Sequence, residues 1–133
     1  MKINELFVSY ELALLARKYE FNQECVGYYF GKDREIYVGN NDVYGPFNFK
    51  INSTGGAFNA PTYDQLVEWF LINKQIGIEI ALDETLMWVY KLTPLCINNV
   101  LNKEEQSYFT YSTRREALIK ALEHIFALLD VKY

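Results

Sequence analysis

The chain reads as an α+β fold in the order α-β-β-β-α-β-β-β-α, an antiparallel sheet packed by helices. Three observations predict it. Helix-start signatures recur at Ser9, Thr62 and Thr113. Runs of alternating apolar and polar residues stand between them, and Gly, Asn, Asp or Pro punctuate those runs. A length of 133 residues suits a single α+β domain spanning 1–133, able to bury roughly two thirds of its unfolded surface.

Ser9 precedes a helix whose Leu12, Leu15, Ala16 and Tyr19 share a face, with Val8 placed to pack back as a staple. That helix ends near Glu20. Val26, Tyr28 and Phe30 then alternate with Cys25, Gly27 and Tyr29, and the polar run Gly31 to Arg34 leads into Glu35 to Val38, which predicts a hairpin. A third alternating piece sets Phe47, Phe49 and Ile51 against Asn48, Lys50 and Asn52.

The second helix is the most plainly written. Pro61 suits a first turn, where its missing N–H is no loss, and Thr62 and Gln65 have capping-box spacing. Leu66, Val67 and Phe70 carry the stripe to about Lys74, and Trp69 and Ile72 widen it. Ile76, Ile78, Ile80 and Leu82 alternate with Gly77, Glu79, Ala81 and Asp83, which predicts a strand with one face in the core. After Asp83-Glu84-Thr85 a return strand over Leu86 to Thr93 places Leu86, Trp88, Tyr90 and Leu92 on one side, and Pro94 stops it. A further strand from about Gln106 to Tyr111 leads into the last helix. There Thr113 and Glu116 form another capping box, and Leu118, Ala121, Leu122, Ile125, Leu128 and Leu129 make the buried stripe. The spacing from Ser9 to Thr62 to Ser112 suggests an αβββ pseudo-repeat of about fifty residues, with sub-repeats 7–60 and 61–133.

Composition narrows function by exclusion. The net charge is −4, and residues 1–60 hold 6 basic and 7 acidic side chains against 7 and 10 in the remainder. Neither part has the basic footprint of a general nucleic-acid or anionic-lipid binder. Cys25 and Cys96 lie far apart and each stands alone, as buried free thiols would. One histidine, His124, and two distant cysteines do not assemble a metal site, so neither metal nor cofactor is expected. His124 is expected to face solvent or to be partly buried. Asp83/Glu84 and Glu104/Glu105 fall in turns, where hydrated carboxylates lack the desolvation that general acid catalysis needs. Gly55-Gly56 lacks the Gly-Lys-Ser/Thr ending of a phosphate loop. No catalytic set is visible, and the chain is not expected to be an enzyme.

Three segments carry a family resemblance. Phe7-Val8-Ser9-Tyr10-Glu11-Leu12-Ala13-Leu14 leads on to Cys25 and Tyr28-Tyr29; Ala60-Pro61-Thr62-Tyr63-Asp64-Gln65 is followed by Trp69-Phe70; Tyr111-Ser112-Thr113 is followed by Glu116-Ala117 and Ala121-Leu122. Together they resemble a group of small proteins encoded by phages, prophages and mobile elements of gut Bacteroidetes, a group with no assigned activity. The chain departs from it in having Ser9 where a proline is usual and Leu71-Ile72-Asn73 in place of an Arg-Glu-Lys run. The resemblance implies a mobile-element accessory protein.

Two functional expectations follow. The first is a non-enzymatic protein that docks onto a host or phage protein, because 11 Tyr, 9 Phe and 2 Trp offer interface anchors and no chemistry competes. Tyr108, Tyr111, Arg114 and Arg115 are the expected contact patch. The alternative is double-stranded nucleic-acid binding through the C-terminal αβββα part, with Arg114 and Arg115 at a helix start touching phosphates. Glu104, Glu105 and Glu116 nearby oppose it. Met1-Lys2-Ile3-Asn4-Glu5 does not look like a signal peptide, and no stretch has bilayer-spanning length, so a cytoplasmic location in a host bacterial cell is expected.

Overall fold

The structure, a computed structural model, describes residues 3–21, 23–30, 33–38 and 57–132. Among these residues it is an α+β fold with three α-helices and two three-stranded antiparallel sheets, in the expected order α-β-β-β-α-β-β-β-α. The chain forms two compact units, Met1–Leu66 and Val67–Tyr133.

The first unit opens with a 3-10 turn, Ile3–Leu6, and helix α1, Tyr10–Lys18. Ser9 caps α1 as its spacing predicts, accepting the Leu12 N–H on its hydroxyl at 3.2 Å, and Leu12, Ala13 and Ala16 turn inward. Glu20 adopts a left-handed φ of 69°, which ends the helical path and lets Phe21 reach back to the Ala16 carbonyl. Strand β1, Gly27–Phe30, pairs with β2, Asp33–Val38, on one side and with β3, Ala57–Ala60, on the other. Cys25, Gly27 and Tyr29 face inward while Phe30 is exposed, so the alternation in the sequence selects this face. Gly27 is required there, because a Cβ would sit 2.5 Å from a ring carbon of Phe7. Tyr29 donates its hydroxyl to the Val8 carbonyl at 2.7 Å, and its ring meets those of Tyr10 and Phe58 at 5.4 and 5.8 Å. The expected strand around Phe47 to Ile51 lies outside the described residues. β3 was not foreseen: Ala57-Phe58-Asn59-Ala60 is buried along its whole length and shows no alternation. Its one polar side chain, Asn59, donates to the Gln23 carbonyl at 3.1 Å.

Helix α2 runs Tyr63–Trp69, and the division between the units falls within it, after Leu66. Its capping box is complete: Thr62 N–H donates to Gln65 Oε1 at 2.9 Å, and Gln65 N–H donates to Thr62 Oγ1 at 3.1 Å. The helix does not continue in α form to Lys74. Residues Phe70–Lys74 widen into a π turn, closed by Gln75 at a left-handed φ of 54°. Trp69 and Phe70 are both buried in consequence, whereas Ile72, expected on the apolar face, is 64% exposed.

In the second unit β4, Ile76–Leu82, pairs with β5, Trp88–Pro94, over seven residues, and β5 pairs with the two-residue β6, Glu105–Gln106. Leu86 belongs to the turn, not the strand: its φ is 63° and its side chain is exposed. Asp83 organises that turn, accepting from the Thr85 hydroxyl at 2.6 Å, the Thr85 N–H at 2.8 Å and the Met87 N–H at 3.1 Å. The Thr85 hydroxyl and then the Met87 N–H hold its carboxyl below the usual carboxylate range. The expected core face of β4 is only partly realised, since Ile76 is buried, Ile78 and Ile80 are half-buried and Leu82 is exposed. The strand expected over 106–111 shrinks to β6 and a single bridge from Tyr111 to Trp88.

Helix α3, Arg114–Lys132, packs on β5 and β4 through Ala117, Leu118, Ala121, Leu122, Ile125, Phe126 and Leu129. Phe126 was missing from the expected stripe, and Leu128 is only half-buried. Half of the expected capping box forms. Glu116 N–H donates to Thr113 Oγ1 at 3.1 Å, while the Glu116 carboxylate accepts from the Ser112 hydroxyl at 3.3 Å. Among the described residues no helix is long and apolar enough to cross a membrane.

Candidate functional site

The expected patch divides on the structure. Tyr108 and Tyr111 meet in a groove of about 440 Å³ on the second unit, and Arg114 and Arg115 stand exposed on the first turn of α3, outside its lining. Each groove residue is placed by a separate piece of local structure. On β5 the residues Trp88, Tyr90 and Leu92 share the face that α3 covers, with Leu92 and Tyr90 buried. Tyr90 therefore points at the helix, and its hydroxyl lies 2.8 Å from Nδ1 of His124. His124 was expected to be solvent-facing or partly buried, and it is half-buried against this phenol.

Tyr111 is fixed by its backbone. Its N–H and C=O exchange two hydrogen bonds with Trp88, each 2.8 Å, which stacks its ring on Tyr90 at 6.3 Å and 18°. The imidazole meets Tyr90 edge-on, with ring centroids 5.7 Å apart and planes at 77°. Burial, followed by the nearby Tyr111, Glu105, Tyr108 and Glu123, pushes the Tyr90 phenol up to about 12. It keeps its proton at neutral pH. It can then donate to an unprotonated Nδ1 or accept from a protonated one.

The rim is contributed by the loop between β6 and Tyr111. Tyr108 is 87% exposed and Phe109 beside it is 73% exposed. On the helix side Lys120, one turn before His124, places its Nζ 3.5 Å from a carboxylate oxygen of Glu123, the residue next to that histidine, and both side chains are about half exposed. The groove thus offers aromatic faces at its floor and rim, and a donor and an acceptor of opposite charge along one wall. That combination suits an inserted apolar or aromatic side chain with polar groups beside it.

Five groove residues, Tyr90, Phe109, Lys120, Glu123 and His124, lie outside the expected patch. Phe109 had a signal, since Tyr108-Phe109 is an adjacent aromatic pair beside a turn. Tyr90 and His124 had none, because they lie 34 positions apart and only the packing of α3 on β5 joins them. A second hollow, of about 340 Å³, lies on the opposite face of this sheet, over Glu79, Ala81, Asp83, Val89 and Lys91. Its opposite charges are paired, with Lys91 Nζ 3.4 Å from a Glu79 carboxylate oxygen. Of the two thiols expected to be buried, Cys96 is exposed and Cys25 is buried, and burial raises the Cys25 thiol to about 12, which suits a packing residue and not a nucleophile. Among the described residues no three His, Cys, Asp or Glu side chains converge as a metal site would require.

No family model matches the chain, and no curated protein or solved structure is found to be similar to it.

Proposed function

We propose that this chain is a non-enzymatic interaction protein, an accessory of a phage or mobile element, that docks a partner protein on the aromatic groove of its second unit. One observation carries the reading: Tyr108 and Phe109, consecutive and large, stand 87% and 73% exposed at the mouth of a groove floored by Tyr90 and Tyr111. Exposed aromatics rimming an aromatic pocket supply contact area with few rotors to freeze, the property that concentrates binding energy in interface anchors. The partner presents an apolar or aromatic side chain to that pocket and meets Lys120, Glu123 and His124 with polar groups. The setting proposed is the cytoplasm of a host bacterial cell, in keeping with the mobile-element proteins that the chain resembles.

Capture from host lysate tests this, using the tagged chain, a Tyr108→Ala/Phe109→Ala variant and a Tyr111→Ala/Arg115→Ala variant, each with and without nuclease. The expected result is one stoichiometric protein that survives nuclease, binds the wild-type chain and is lost from the Tyr108→Ala/Phe109→Ala variant. A partner retained equally by both variants removes the groove from the reading. Recovery of nucleic acid, with a salt slope that falls by about one unit when Arg114 becomes Ala, replaces it with binding to a duplex through the αβββα part.

A further inference from the structure

We propose that the free edge of β4 is a homodimer interface, on which a second copy of this chain adds its own β4 antiparallel and joins two three-stranded sheets into one of six strands. β4 ends the order β4-β5-β6, so among the described residues it has one neighbouring strand. Its register pairs Gly77 with Thr93, Glu79 with Lys91 and Ala81 with Val89. Hydrogen bonds at both ends of the ladder fix its phase. The Asp83 N–H donates to the Met87 carbonyl at 2.8 Å, and the Leu95 N–H donates to the Gln75 carbonyl at 2.9 Å. Bonded pairs alternate in an antiparallel ladder, so the odd-numbered residues of β4 bond to β5. The N–H and C=O groups of Ile78, Ile80 and Leu82 therefore point off the sheet.

An edge strand is usually blunted by a proline, a lysine or a bulge. From Ile76 to Leu82 there is no Pro, Lys or Arg, and the register with β5 is unbroken. The only charge, Glu79, projects on the face away from α3 and is paired with Lys91 at 3.4 Å. On the α3 side Ile78 and Ile80 are half-buried and Leu82 is 49% exposed, so apolar surface runs to the edge.

Exposure also selects the register. The strand is buried at Ile76 and open at Ala81 and Leu82, which centres the accessible edge on Ile80. A two-fold axis there sets Ile80 opposite its own copy, Ile78 opposite the partner's Leu82 and Glu79 opposite the partner's Ala81. Apolar side chains meet on the α3 side, and each carboxylate meets a small neutral residue on the other. An axis through Glu79 would instead oppose two carboxylates, which destabilises a cross-strand pair. The edge is thus complementary to itself, which selects a second copy over an unrelated strand.

Sedimentation velocity of the full chain over a concentration series tests the interface. The mass is expected to rise from 15.6 kDa toward twice that value with concentration. Ile80→Pro removes both central intermolecular hydrogen bonds and leaves the Glu79 and Ala81 bonds to β5, so association weakens by more than about tenfold. Leu82→Lys, at an exposed position, should weaken it as well with an unchanged thermal melt, which separates a lost interface from a lost fold. In a Cys96→Ser background, Glu79→Cys with Ala81→Cys should oxidise to a covalent dimer. A chain that stays monomeric at every concentration overturns the proposal, as does a dimer that tolerates Leu82→Lys and does not cross-link through positions 79 and 81.

Discussion

Both units build a three-stranded antiparallel sheet after a capped helix, but they connect the strands differently, and the connection decides what is left at the surface. In the first unit the earliest strand, β1, is central and β3 returns to its far side, giving β2-β1-β3. The returning strand is buried throughout, and the aromatic rings of Tyr29 and Phe58 lie inside. In the second unit the strands follow one another as β4-β5-β6, so β4, a seven-residue strand with a single charged side chain, remains at an edge. Its aromatic loop, Tyr108 and Phe109, is exposed. Among the described residues the same succession of elements thus buries the returning strand of the first unit, where Phe30, Tyr37 and Val38 stay exposed on β1 and β2. It leaves the first strand of the second unit at an edge and two aromatic rings of a loop largely exposed. Interaction surface is expected from the second arrangement.

The largest effect should come from the second unit's core. Phe126→Ala empties a fully buried position that touches the ring of Phe70 at 5.2 Å, and should cost about 4 kcal/mol in a urea melt. A loss under about 1 kcal/mol would mean that this core collapses around the gap, and the contrast with the surface of the same unit would blur.

Next comes an overpacking test in the first unit. Gly27→Ala drives a methyl into Phe7 and should cost about 2 kcal/mol. Adding Phe7→Leu, which clears the ring edge, should return part of that loss in a double-mutant cycle. Additive losses would show that Phe7 does not set the limit at Gly27.

Alkaline titration separates the units by protonation. Burial raises Cys25 from 9.0 to about 12 and Tyr29 from 10.0 to about 12 in the first unit; in the second, burial with neighbouring tyrosines and carboxylates raises Tyr90 from 10.0 to about 12. A group whose folded pKa is raised contributes stability that is whole below its unfolded pKa and is lost as pH climbs through the folded value. Stability should therefore fall between about pH 9 and 12. Tyr29→Phe and Tyr90→Phe should each flatten the fall, as followed by chemical denaturation at stepped pH. An unchanged slope in Tyr90→Phe would detach the His124 contact from stability.

The smallest difference lies in the caps. Thr62→Ala removes only the Oγ1 acceptor and should cost about 1 kcal/mol, as Thr113→Ala should, against about 1.5 kcal/mol for Thr62→Ala with Gln65→Ala, which also removes the bond from Thr62 N–H to Gln65 Oε1. Equal losses in the single and double Thr62 variants would mean that the Gln65 half of the box contributes nothing measurable.

What the sequence determined is what local rules govern. Ser9, Thr62 and Thr113 cap the helices at the expected positions, since a hydroxyl accepting an N–H three residues on depends only on neighbouring residues. The strand Ile76–Leu82 was legible because alternation over seven residues has no helical counterpart. What tertiary structure alone decided is pairing and exposure. β3 is short, buried and without alternation, so nothing in Ala57-Phe58-Asn59-Ala60 separates it from a loop until β1 supplies its bonds. The π turn at Phe70–Lys74 arises where two adjacent rings, Trp69 and Phe70, are both buried, which the regular 3.6-residue periodicity did not foresee. Half of the expected patch, Tyr108 and Tyr111, came together; Arg114 and Arg115 fell outside it, and Tyr90 and His124 joined from distant positions. Capping and periodicity act within a few residues and can be read in order along the chain. Which ring meets which imidazole, and which strand is left at an edge, follow from the packing of α3 on β5 and from strand order, relations that no local pattern contains.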